Sequence, residues 1–441
     1  MSEILTSVGI DVGTTSTQLV VSRLQVENRA SGFAVPEMVI ADRKILYKSP
    51  IHFTPLVEGK LVDGDQLRCI VEEEYKKSGI SREKVDTGAV IVTGETSRRE
   101  NARTVLEALS DYAGDFVVTT AGPDLESVLA AKGSGAAEYS RETGSTVLHM
   151  DIGGGTSNLA LIRQGKIERT GCLNVGGRLV KFSETGEITY LSPVLSDICS
   201  WKTGEIPTKQ QREELAETLA TALEMAAGRR EKSQLLSKLL TDESARPWQV
   251  PEEELVLSFS GGVADCIRED FPPLAFGDLG PELGRAIRET NLCRGEYILG
   301  AETIRATVIG AGCHTTQLSG STVYYQNVRF PLKNLPVVDF SAFSPQGETA
   351  VVSLEGIPSP TYRQVAELAE TIRTRIPPPI LLCLEQDMAK ALGQALAVRL
   401  PADTPILCID RVRLEAENFL DIGAPVGSAL PVVVKTLVLS K

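Results

Sequence analysis

The order of apolar and polar positions along the chain predicts strands that alternate with helices. Residues 8–21 read VGIDVGTTSTQLVV, an apolar run that is interrupted by Asp11, a glycine and several hydroxyl side chains and is then resumed. This pattern is typical of a strand, a tight turn and a return strand. A single hairpin of this kind is common in proteins and identifies no function, so its recurrence along the chain decides what it means.

The same pattern occurs a second time at residues 147–162, which read VLHMDIGGGTSNLALI. Asp151 corresponds to Asp11 and Gly153 to Gly13 at a single offset, 151 − 11 = 140, with no gap inside the motif. An internal repeat of a hairpin predicts two similar lobes.

Hydrophobic periodicity also predicts the elements between and after the two hairpins. Strands are expected near 88–96, 115–122, 165–177, 255–262, 307–330, 380–386 and 406–414. Helices are expected at 63–80, 98–114, 123–142, 208–228, 280–289 and 361–376, and from residue 387. Strands that alternate with helices are typical of an α/β fold. The expected division is a first lobe at residues 1–145, a second lobe at 146–299 and an additional C-terminal α/β domain at 300–441.

Composition narrows the classes of function. With 441 residues the chain is too long for one hydrophobic core, and at roughly 150 residues per domain it predicts about three domains. The net charge of −13 disfavours a nucleic-acid partner, which would require clustered Lys and Arg. The start of the chain carries neither a basic segment nor a long apolar one, so we expect a cytoplasmic protein that does not associate with membranes.

The residue types narrow the chemistry further. The eight cysteines form no C-x-x-C pair, which disfavours a structural zinc site. Only three histidines are present, and His149, inside the apolar run VLHMDI, is expected to pack rather than to catalyse. A Ser/His/Asp triad or a multi-histidine metal centre therefore gains little support. The chemistry is expected to use carboxylates, hydroxyls and backbone amides.

The two hairpins suit a phosphate ligand. A glycine-rich turn between strands leaves backbone N–H groups free to bind phosphate oxygens, and hydroxyl side chains add donors. The predicted phosphate-binding residues are Gly13, Thr14, Thr15, Gly153, Gly154, Gly155 and Thr156. A carboxylate before such a turn would repel phosphate, so Asp11 and Asp151 are expected to hold Mg²⁺, directly or through water. Each aspartate could instead be the side-chain cap of a turn.

Both hairpins resemble the first and second phosphate motifs of the actin, sugar-kinase and 70-kilodalton heat-shock ATPase superfamily. LSFSGGVADCI, at residues 257–267, resembles its adenosine motif, and AGPDLESVLAAKG and GPELGRAIRE resemble its two connecting helices. The resemblance covers about residues 5–290. It implies an actin-like, ribonuclease H-like ATPase fold that binds ATP and Mg²⁺, with Gly261 and Gly262 at the adenosine.

Within that superfamily, the chain is similar to the family of reactivating factors of ethanolamine ammonia-lyase. The stretches that carry the similarity are VGIDVGTTSTQLVVSRL, VIVTGETSRRENA, HMDIGGGTSNLALI, IDRVRL and DIGAPVGSALPVVVKTLVL. The similarity implies a chaperone-like protein that uses ATP and Mg²⁺ to release damaged cobalamin from inactivated lyase, so that intact adenosylcobalamin can bind. It implies ethanolamine ammonia-lyase as the protein partner and an association with a bacterial microcompartment, and it leaves open whether the chain forms a homo-oligomer.

Hydrolysis of ATP needs a group that positions or deprotonates water near the γ-phosphate. Asp124 falls where the first connecting helix of the superfamily often carries an acidic or amide residue, and Glu126 is its competitor. Acidic residues in the first turn of a helix also interact favourably with the helix dipole, which leaves a structural role open. Thr93 and Glu95 follow the end of a predicted strand, where α/β sheets place ligand groups, and could help to hold Mg²⁺.

Two other functions remain open from the sequence. A small-molecule kinase of the same fold would use Asp124 or Glu126 as the base beside an acceptor hydroxyl. A scaffold or filament protein would use nucleotide only as a switch for polymerisation, and the additional C-terminal domain weighs against it.

Overall fold

The computed structural model describes residues 3–13, 16–28, 38–57, 61–93, 109, 118–120, 123–241, 255–300, 302–314, 316–319, 323–344, 349–412, 418–425 and 430–436. The strands are β1 (Glu3–Val12), β2 (Ser16–Asn28), β3 (Met38–Lys48), β4 (His52–Phe53), β5 (Leu56–Val57), β6 (Leu61–Val62), β7 (Thr87–Val92), β8 (Val118–Thr120), β9 (Thr146–Ile152), β10 (Ser157–Arg163), β11 (Lys166–Leu173), β12 (Val180–Phe182), β13 (Ile188–Leu191), β14 (Leu255–Ser260), β15 (Tyr297–Leu299), β16 (Thr316–Leu318), β17 (Tyr324–Gln326), β18 (Leu332–Asp339), β19 (Val351–Leu354), β20 (Ile380–Leu384), β21 (Ile406–Asp410), β22 (Asn418–Ile422) and β23 (Pro431–Thr436). The helices are α1 (Gly64–Ser78), α2 (Pro123–Gly133), α3 (Ala136–Thr143), α4 (Lys209–Ala226), α5 (Gln234–Leu239), α6 (Gly262–Arg268), α7 (Gly280–Glu289), α8 (Ala306–His314), α9 (Tyr362–Arg375) and α10 (Ala389–Ala397).

Two of the sheets have the same strand order and the same strand directions. The order is β3-β2-β1-β7-β8 in the first sheet, where β4 also pairs with β2, and β11-β10-β9-β14-β15 in the second. In the first sheet β1 pairs antiparallel with β2 and parallel with β7. In the second, β9 pairs antiparallel with β10 and parallel with β14. The repeated hairpin of the sequence is therefore part of a repeated sheet, which confirms the expectation of two similar lobes.

Each lobe has its own hydrophobic core against its sheet. The core of the first lobe joins β1, β2 and β7 to α1, which buries Leu67. The core of the second lobe joins β9, β10 and β14 to α4 and α7, and Leu219 of α4 is fully buried. Capping side chains fix where α1 and α4 begin: Asp63 accepts backbone N–H groups of the first turn of α1, and Thr208 forms a capping box at α4. Both helices confirm the sequence prediction.

The single helix predicted at 123–142 is two helices, α2 and α3. Between them Gly135 has a φ of 87°, a left-handed conformation that glycine adopts without steric cost. The helix predicted at 98–114 lies outside the described residues apart from residue 109.

The segment that follows the second lobe differs from its prediction. The sequence predicts strands throughout 307–330, but residues Ala306–His314 form α8, and the described residues after it contribute the short strands β16 and β17. The run ATVIGAG is apolar on all sides, which fits a buried helix as well as a buried strand. Because α8 packs on α2 and on β1, β2 and β7, its burial rather than its local preference selects the helix.

The helices that join the two lobes are α2 and α8, which corrects the expectation for the second connecting helix. GPELGRAIRE does form a helix, α7, but α7 packs on α4 and α6 inside the second lobe. In contrast, α2 packs on strands of the second sheet and α8 on strands of the first. The two helices cross backbone against backbone: a Cβ at Gly133 would lie 1.8 Å from Ala306 O, and one at Gly310 would lie 2.1 Å from Leu129 O.

The C-terminal part forms an eight-stranded sheet with the order β16-β23-β22-β18-β19-β20-β21-β17. Strands β18 to β21 are parallel, and α9 and α10 cover one face of them. This sheet confirms the additional C-terminal α/β unit. The division at 1–145, 146–299 and 300–441 stays a prediction, because α8 begins beyond residue 300 and yet packs on the first lobe.

Two further properties concern the part of the chain that the structure describes. None of its helices is both long and apolar enough to span a membrane. The free thiols found there are Cys69, Cys172, Cys199, Cys266, Cys293, Cys383 and Cys408.

Candidate functional site

The first candidate residue, Asp11, lies at the end of β1, where the strand meets the turn of the first hairpin. Its neighbours in register are Gln18 on β2 and Ile91 on β7. The hydroxyl of Thr93, just beyond β7, donates a hydrogen bond of 2.9 Å to Asp11 Oδ1. Burial raises the pKa of Asp11 to about 7, while the Thr93 bond opposes this shift and the charge of Asp151 adds to it. The ionised carboxylate is thus held at a cost that a bound cation would offset.

Asp151 occupies the equivalent place at the end of β9. Its neighbours in register are Asn158 on β10 and Ser260 on β14. Ser260 Oγ donates to Asp151 Oδ1 at 2.5 Å, and Thr307 Oγ1, from α8, donates to Asp151 Oδ2 at 3.3 Å. Burial raises the pKa of Asp151 to about 6, and both hydroxyl bonds oppose this shift. Both oxygens of this carboxylate therefore have a donor.

The two aspartates lie near each other, because Thr307, which bonds Asp151, belongs to α8, and α8 packs on β1, the strand that carries Asp11. The place between the two carboxylates is called the cleft below. Two carboxylates held together out of water repel each other, and a divalent cation between them removes the repulsion. Among the residues that the structure describes, no group of three or more His, Cys, Asp or Glu is gathered around a point where a metal could bind. A pair of carboxylates, Asp11 and Asp151, suits Mg²⁺, which keeps several waters and commonly binds only one or two carboxylates.

The turns that follow the two aspartates have the same backbone hydrogen bond. Gly13 N–H donates to Ser16 O at 2.9 Å, and Gly153 N–H donates to Thr156 O at 2.9 Å. The repeat therefore extends from the sheet into the turn that was predicted to bind phosphate, although phosphate contact itself stays a prediction. Three of the predicted site residues lie outside the described residues, namely Thr14, Thr15 and Glu95.

A neighbouring segment supports the second turn from one side. Gly177 N–H donates to Gly153 O at 3.1 Å, and Arg178 N–H donates to Gly154 O at 2.6 Å. At Gly155, by contrast, no atom of the described residues beyond its chain neighbours lies within 4 Å of the place a Cβ would take. The turn is thus fixed through its carbonyl groups while its tip is open to a ligand.

The glycines predicted at the adenosine differ in what the structure requires of them. Gly261 has a φ of 85°, and a Cβ there would lie 2.3 Å from Ile152 O, at the end of β9. Its N–H donates to Thr303 O at 3.0 Å. A Cβ at Gly262 would make only an ordinary contact of 3.6 Å with Ile304. Gly261 therefore lets the turn after β14 pack directly on the strand that carries Asp151, and adenosine binding at both positions stays a prediction.

The two predicted acidic residues of α2 lie in different surroundings. Glu126 is 8% exposed and accepts a hydrogen bond of 2.9 Å from Asn158 Nδ2. Asn158 is the cross-strand neighbour of Asp151, so Glu126 lies one side chain away from the candidate cation site. Asp124 is exposed and accepts a bond of 2.5 Å from Thr170, on the edge strand β11.

Sequence reasoning missed several residues around the aspartates. Thr307 bonds Asp151 from α8, in a segment that was interpreted as a strand, and only the correct placement of that helix would have found it. Gln18 and Asn158, which lie opposite Asp11 and Asp151, have the same offset as the aspartates, 158 − 18 = 140. Extending the repeat along the return strands would have identified this pair.

The repeated sheets, with an aspartate at the end of the same strand in each, define a protein of the actin-like ATPase fold. Comparison with known proteins then gives the family. The chain belongs to the family of ethanolamine utilisation protein EutA, whose model matches residues 3–349 and 340–440. This confirms the resemblance to lyase reactivating factors.

Two similar proteins are both named ethanolamine ammonia-lyase reactivase EutA. The one from Salmonella typhimurium strain LT2 is 36% identical over 472 residues, and the one from Escherichia coli strain K12 is 37% identical over 464 residues. Each alignment covers 98% of this chain and 98% of the relative. Among solved structures, the PPX-GPPA enzyme of Aquifex aeolicus has a TM-score of 0.39 and 18% identity, over 70% of this chain and 89% of that one. The fold is assigned from the two sheets and not from this likeness.

Proposed function

We propose that this protein is an ATP- and Mg²⁺-dependent reactivating factor of ethanolamine ammonia-lyase. The observation that carries the proposal is the pair of equivalent hairpins, which bring Asp11 and Asp151 to one cleft between two matching sheets. The protein partner comes from the family, since relatives that align with 98% of the chain are named reactivases of that lyase.

The residues at the cleft suit a magnesium nucleotide. Mg²⁺ would be held by Asp11 and Asp151, directly or through water, while Thr93, Ser260 and Thr307 keep the two carboxylates oriented. When bound, the cation would neutralise part of the charge of the β- and γ-phosphates. The backbone of the two turns would contact phosphate, namely Gly13, Thr14, Thr15, Gly153, Gly154, Gly155 and Thr156, and the turn at Gly261 and Gly262 would contact adenosine.

For the attacking water, the surroundings favour Glu126 over Asp124. A group that orients or deprotonates water must lie within hydrogen-bond reach of it, directly or through one intervening water. Glu126 is buried beside Asn158, next to Asp151, whereas Asp124 is exposed and bonded to an edge strand. Thr93 would act on Asp11 rather than on water, and Glu95 is retained as a further candidate metal ligand.

The output of the nucleotide cycle would be a movement of the lobes. A nucleotide that contacts both hairpins stabilises the closed arrangement, and its hydrolysis removes part of that stabilisation. A lyase that binds one arrangement better would have its affinity changed by the nucleotide, as linkage requires. Through that change the protein would open inactivated lyase, release damaged cobalamin and admit adenosylcobalamin. This action would take place in the cytoplasm, in association with a bacterial microcompartment where one is present.

The test is recovery of lyase activity. Ethanolamine ammonia-lyase inactivated with hydroxocobalamin is mixed with this protein, free adenosylcobalamin, Mg²⁺ and ATP, and activity is followed over time. We expect recovery that requires ATP, Mg²⁺ and both Asp11 and Asp151, and that is unchanged in Asp197→Asn, a control at an exposed position of the second lobe. ATP hydrolysis without recovery of lyase activity would support an ATPase and would contradict ethanolamine ammonia-lyase as its partner.

The same preparation separates the two alternatives. A small-molecule kinase would transfer the γ-phosphate to an acceptor, so its turnover would rise when candidate sugars or acids are added. A filament protein would increase light scattering on addition of ATP. We expect neither change.

A further inference from the structure

A buried line of polar side chains adjoins Asp151, and its histidine, His149, has no role in the function proposed above. His149 and Asp151 are two residues apart on β9, so their side chains lie on the same face of the sheet. In register beside them on β14 are Ser258, opposite His149, and Ser260, opposite Asp151. All four are buried, and His149 and Ser260 are 0% exposed.

The four side chains are linked in one line of hydrogen bonds. His149 Nδ1 lies 3.0 Å from Ser258 Oγ, and His149 Nε2 lies 2.9 Å from Ser260 Oγ. Ser260 Oγ in turn lies 2.5 Å from Asp151 Oδ1. Ser134 Oγ lies farther from His149 Nε2, at 3.4 Å.

The direction of each bond follows from counting protons. An ionised Asp151 can only accept, so Ser260 must give its single hydroxyl proton to Oδ1. Ser260 Oγ can then only accept from His149, which places the imidazole proton on Nε2. A neutral imidazole carries one proton, so Nδ1 accepts the hydroxyl proton of Ser258. The arrangement thus requires the proton on Nε2. Because the ring is 0% exposed and its two nitrogens contact serine hydroxyls rather than a carboxylate, a charged ring would be costly and the ring is neutral.

We infer that His149 is a positioning residue: its Nε2–H fixes the Ser260 hydroxyl toward Asp151 Oδ1 and so holds the carboxylate in the orientation that binds the cation. The inference rests on the proposed function, because the cation belongs to it. A buried histidine that merely packs also needs both nitrogens hydrogen-bonded, but it does not require that its donor reach the hydroxyl that bonds Asp151. Residues that orient a metal ligand in this way typically contribute about 10- to 100-fold to metal affinity or activity.

The first test observes the proton directly and needs no nucleotide. The chain has three histidines, so an NMR spectrum of the protein labelled with ¹⁵N in the histidine rings contains few signals, and a His149 variant assigns the one of interest. We expect the pattern of a neutral ring protonated at Nε2. A ring protonated at Nδ1, or one that is charged at neutral pH, would overturn the inference.

The second test measures how nucleotide affinity depends on Mg²⁺ concentration. His149→Gln keeps an N–H group near the position of Nε2, whereas His149→Asn keeps a polar group near Nδ1 and loses the donor to Ser260. We expect His149→Asn to raise the Mg²⁺ concentration for half-maximal nucleotide binding by about 10-fold or more, and His149→Gln to restore most of the affinity. Equal behaviour of the two variants would contradict the positioning role.

A matched pair of serines keeps the test informative if the histidine variants fail to fold. Ser260→Ala removes the hydroxyl that touches Asp151, and Ser258→Ala removes the same group at the far end of the line. We expect Ser260→Ala to show the same shift as His149→Asn and Ser258→Ala a smaller one, and equal shifts would contradict the inference. If the unaltered protein binds nucleotide without regard to Mg²⁺, the proposed function itself fails. If it depends on Mg²⁺ and the Ser260→Ala variant does not differ from it, only the role of His149 and Ser260 fails.

Discussion

The two lobes repeat one sheet but surround their aspartates differently. In the first lobe Asp11 accepts a hydrogen bond from Thr93, and its pKa rises to about 7. In the second lobe Asp151 accepts bonds from Ser260 and Thr307, and its pKa rises only to about 6. The topology is duplicated, whereas the electrostatic environment is not. Among the described residues Asp151 has two hydroxyl donors and Asp11 has one, so Asp11 depends more on a bound cation for its stabilisation.

The extra donor at Asp151 comes from the element that joins the lobes. Thr307 belongs to α8, which packs on β1, β2 and β7 of the first lobe. The second carboxylate is therefore bonded to a helix seated on the opposite lobe, so a change in the arrangement of the lobes alters its surroundings directly.

The largest expected effect is the loss of ATP turnover when either carboxylate charge is removed. Asp11→Asn and Asp151→Asn are each expected to lower ATP turnover by about 1,000-fold, because one remaining carboxylate does not hold the cation against the phosphates. Release of inorganic phosphate measures this, with Asp197→Asn as the control. If one variant keeps more than about a tenth of the turnover, the two hairpins are not equally needed.

The next largest effect concerns the backbone contact that only Gly261 makes. Gly261→Ala places a methyl group against Ile152 O at a positive φ, and we expect a loss of about 2–4 kcal/mol in the free energy of unfolding. Gly262→Ala, one residue along, has room and lies in α6, so it should change the free energy of unfolding by less than about 1 kcal/mol. Urea denaturation of both variants measures the two changes. Similar midpoints would contradict the close approach of Gly261 to Ile152 O.

A smaller effect separates the two acids of α2. Glu126→Gln is expected to lower the rate of hydrolysis by about 100-fold while leaving nucleotide affinity within about 2-fold, because a base acts on the water and not on the nucleotide. Asp124→Asn should leave both quantities within about 2-fold, since its partner Thr170 lies on an edge strand. Single-turnover kinetics measure the rate of hydrolysis, and equilibrium binding measures the nucleotide affinity. A larger loss of rate in Asp124→Asn than in Glu126→Gln would identify Asp124 as the residue that acts on the water.

The smallest expected effect is on the free energy of unfolding when either aspartate is neutralised. The pKa of Asp11 is raised from 3.8 to about 7, so the folded state favours its protonated form. The stability that this provides is full below the unfolded pKa near 3.8 and is lost as the pH rises through about 7. At pH 8 without divalent cation, Asp11→Asn should therefore unfold with a higher free energy than the unaltered protein, and Asp151→Asn with a smaller increase, because its pKa is raised less.

Near pH 3 both gains should be close to zero, because the carboxyl groups are then largely protonated in both states. Thermal unfolding at the two pH values in a chelating buffer measures the difference. A larger gain for Asp151→Asn than for Asp11→Asn would reverse the comparison.

The sequence predicts the parts of the site that depend on order along the chain. The offset between Asp11 and Asp151 was enough to predict two lobes, because a short motif of strand, turn and strand determines its own local structure. The offset also relates Gln18 to Asn158, which extends the repeat to the residues opposite the aspartates.

The remainder depends on which distant segments pack together. The run at Ala306–His314 contains β-branched residues that favour a strand and glycines that disfavour a helix, and its packing against α2, β1, β2 and β7 makes it a helix. Asp124 and Glu126 are two positions apart, so the side of α2 that faces the cleft decides between them. His149 was expected merely to pack, because its partners lie on β14, more than a hundred residues later.

The crossing of α2 and α8 has a consequence for the lobe movement proposed above. Helices that interlock through side chains move past each other in steps, since each ridge must leave one groove and enter the next. At this crossing Gly133 and Gly310 place backbone on backbone, with no side chain from either glycine between the two helices. In the proposed cycle, a rotation of the lobes about this crossing would therefore need no change of rotamer at these two positions.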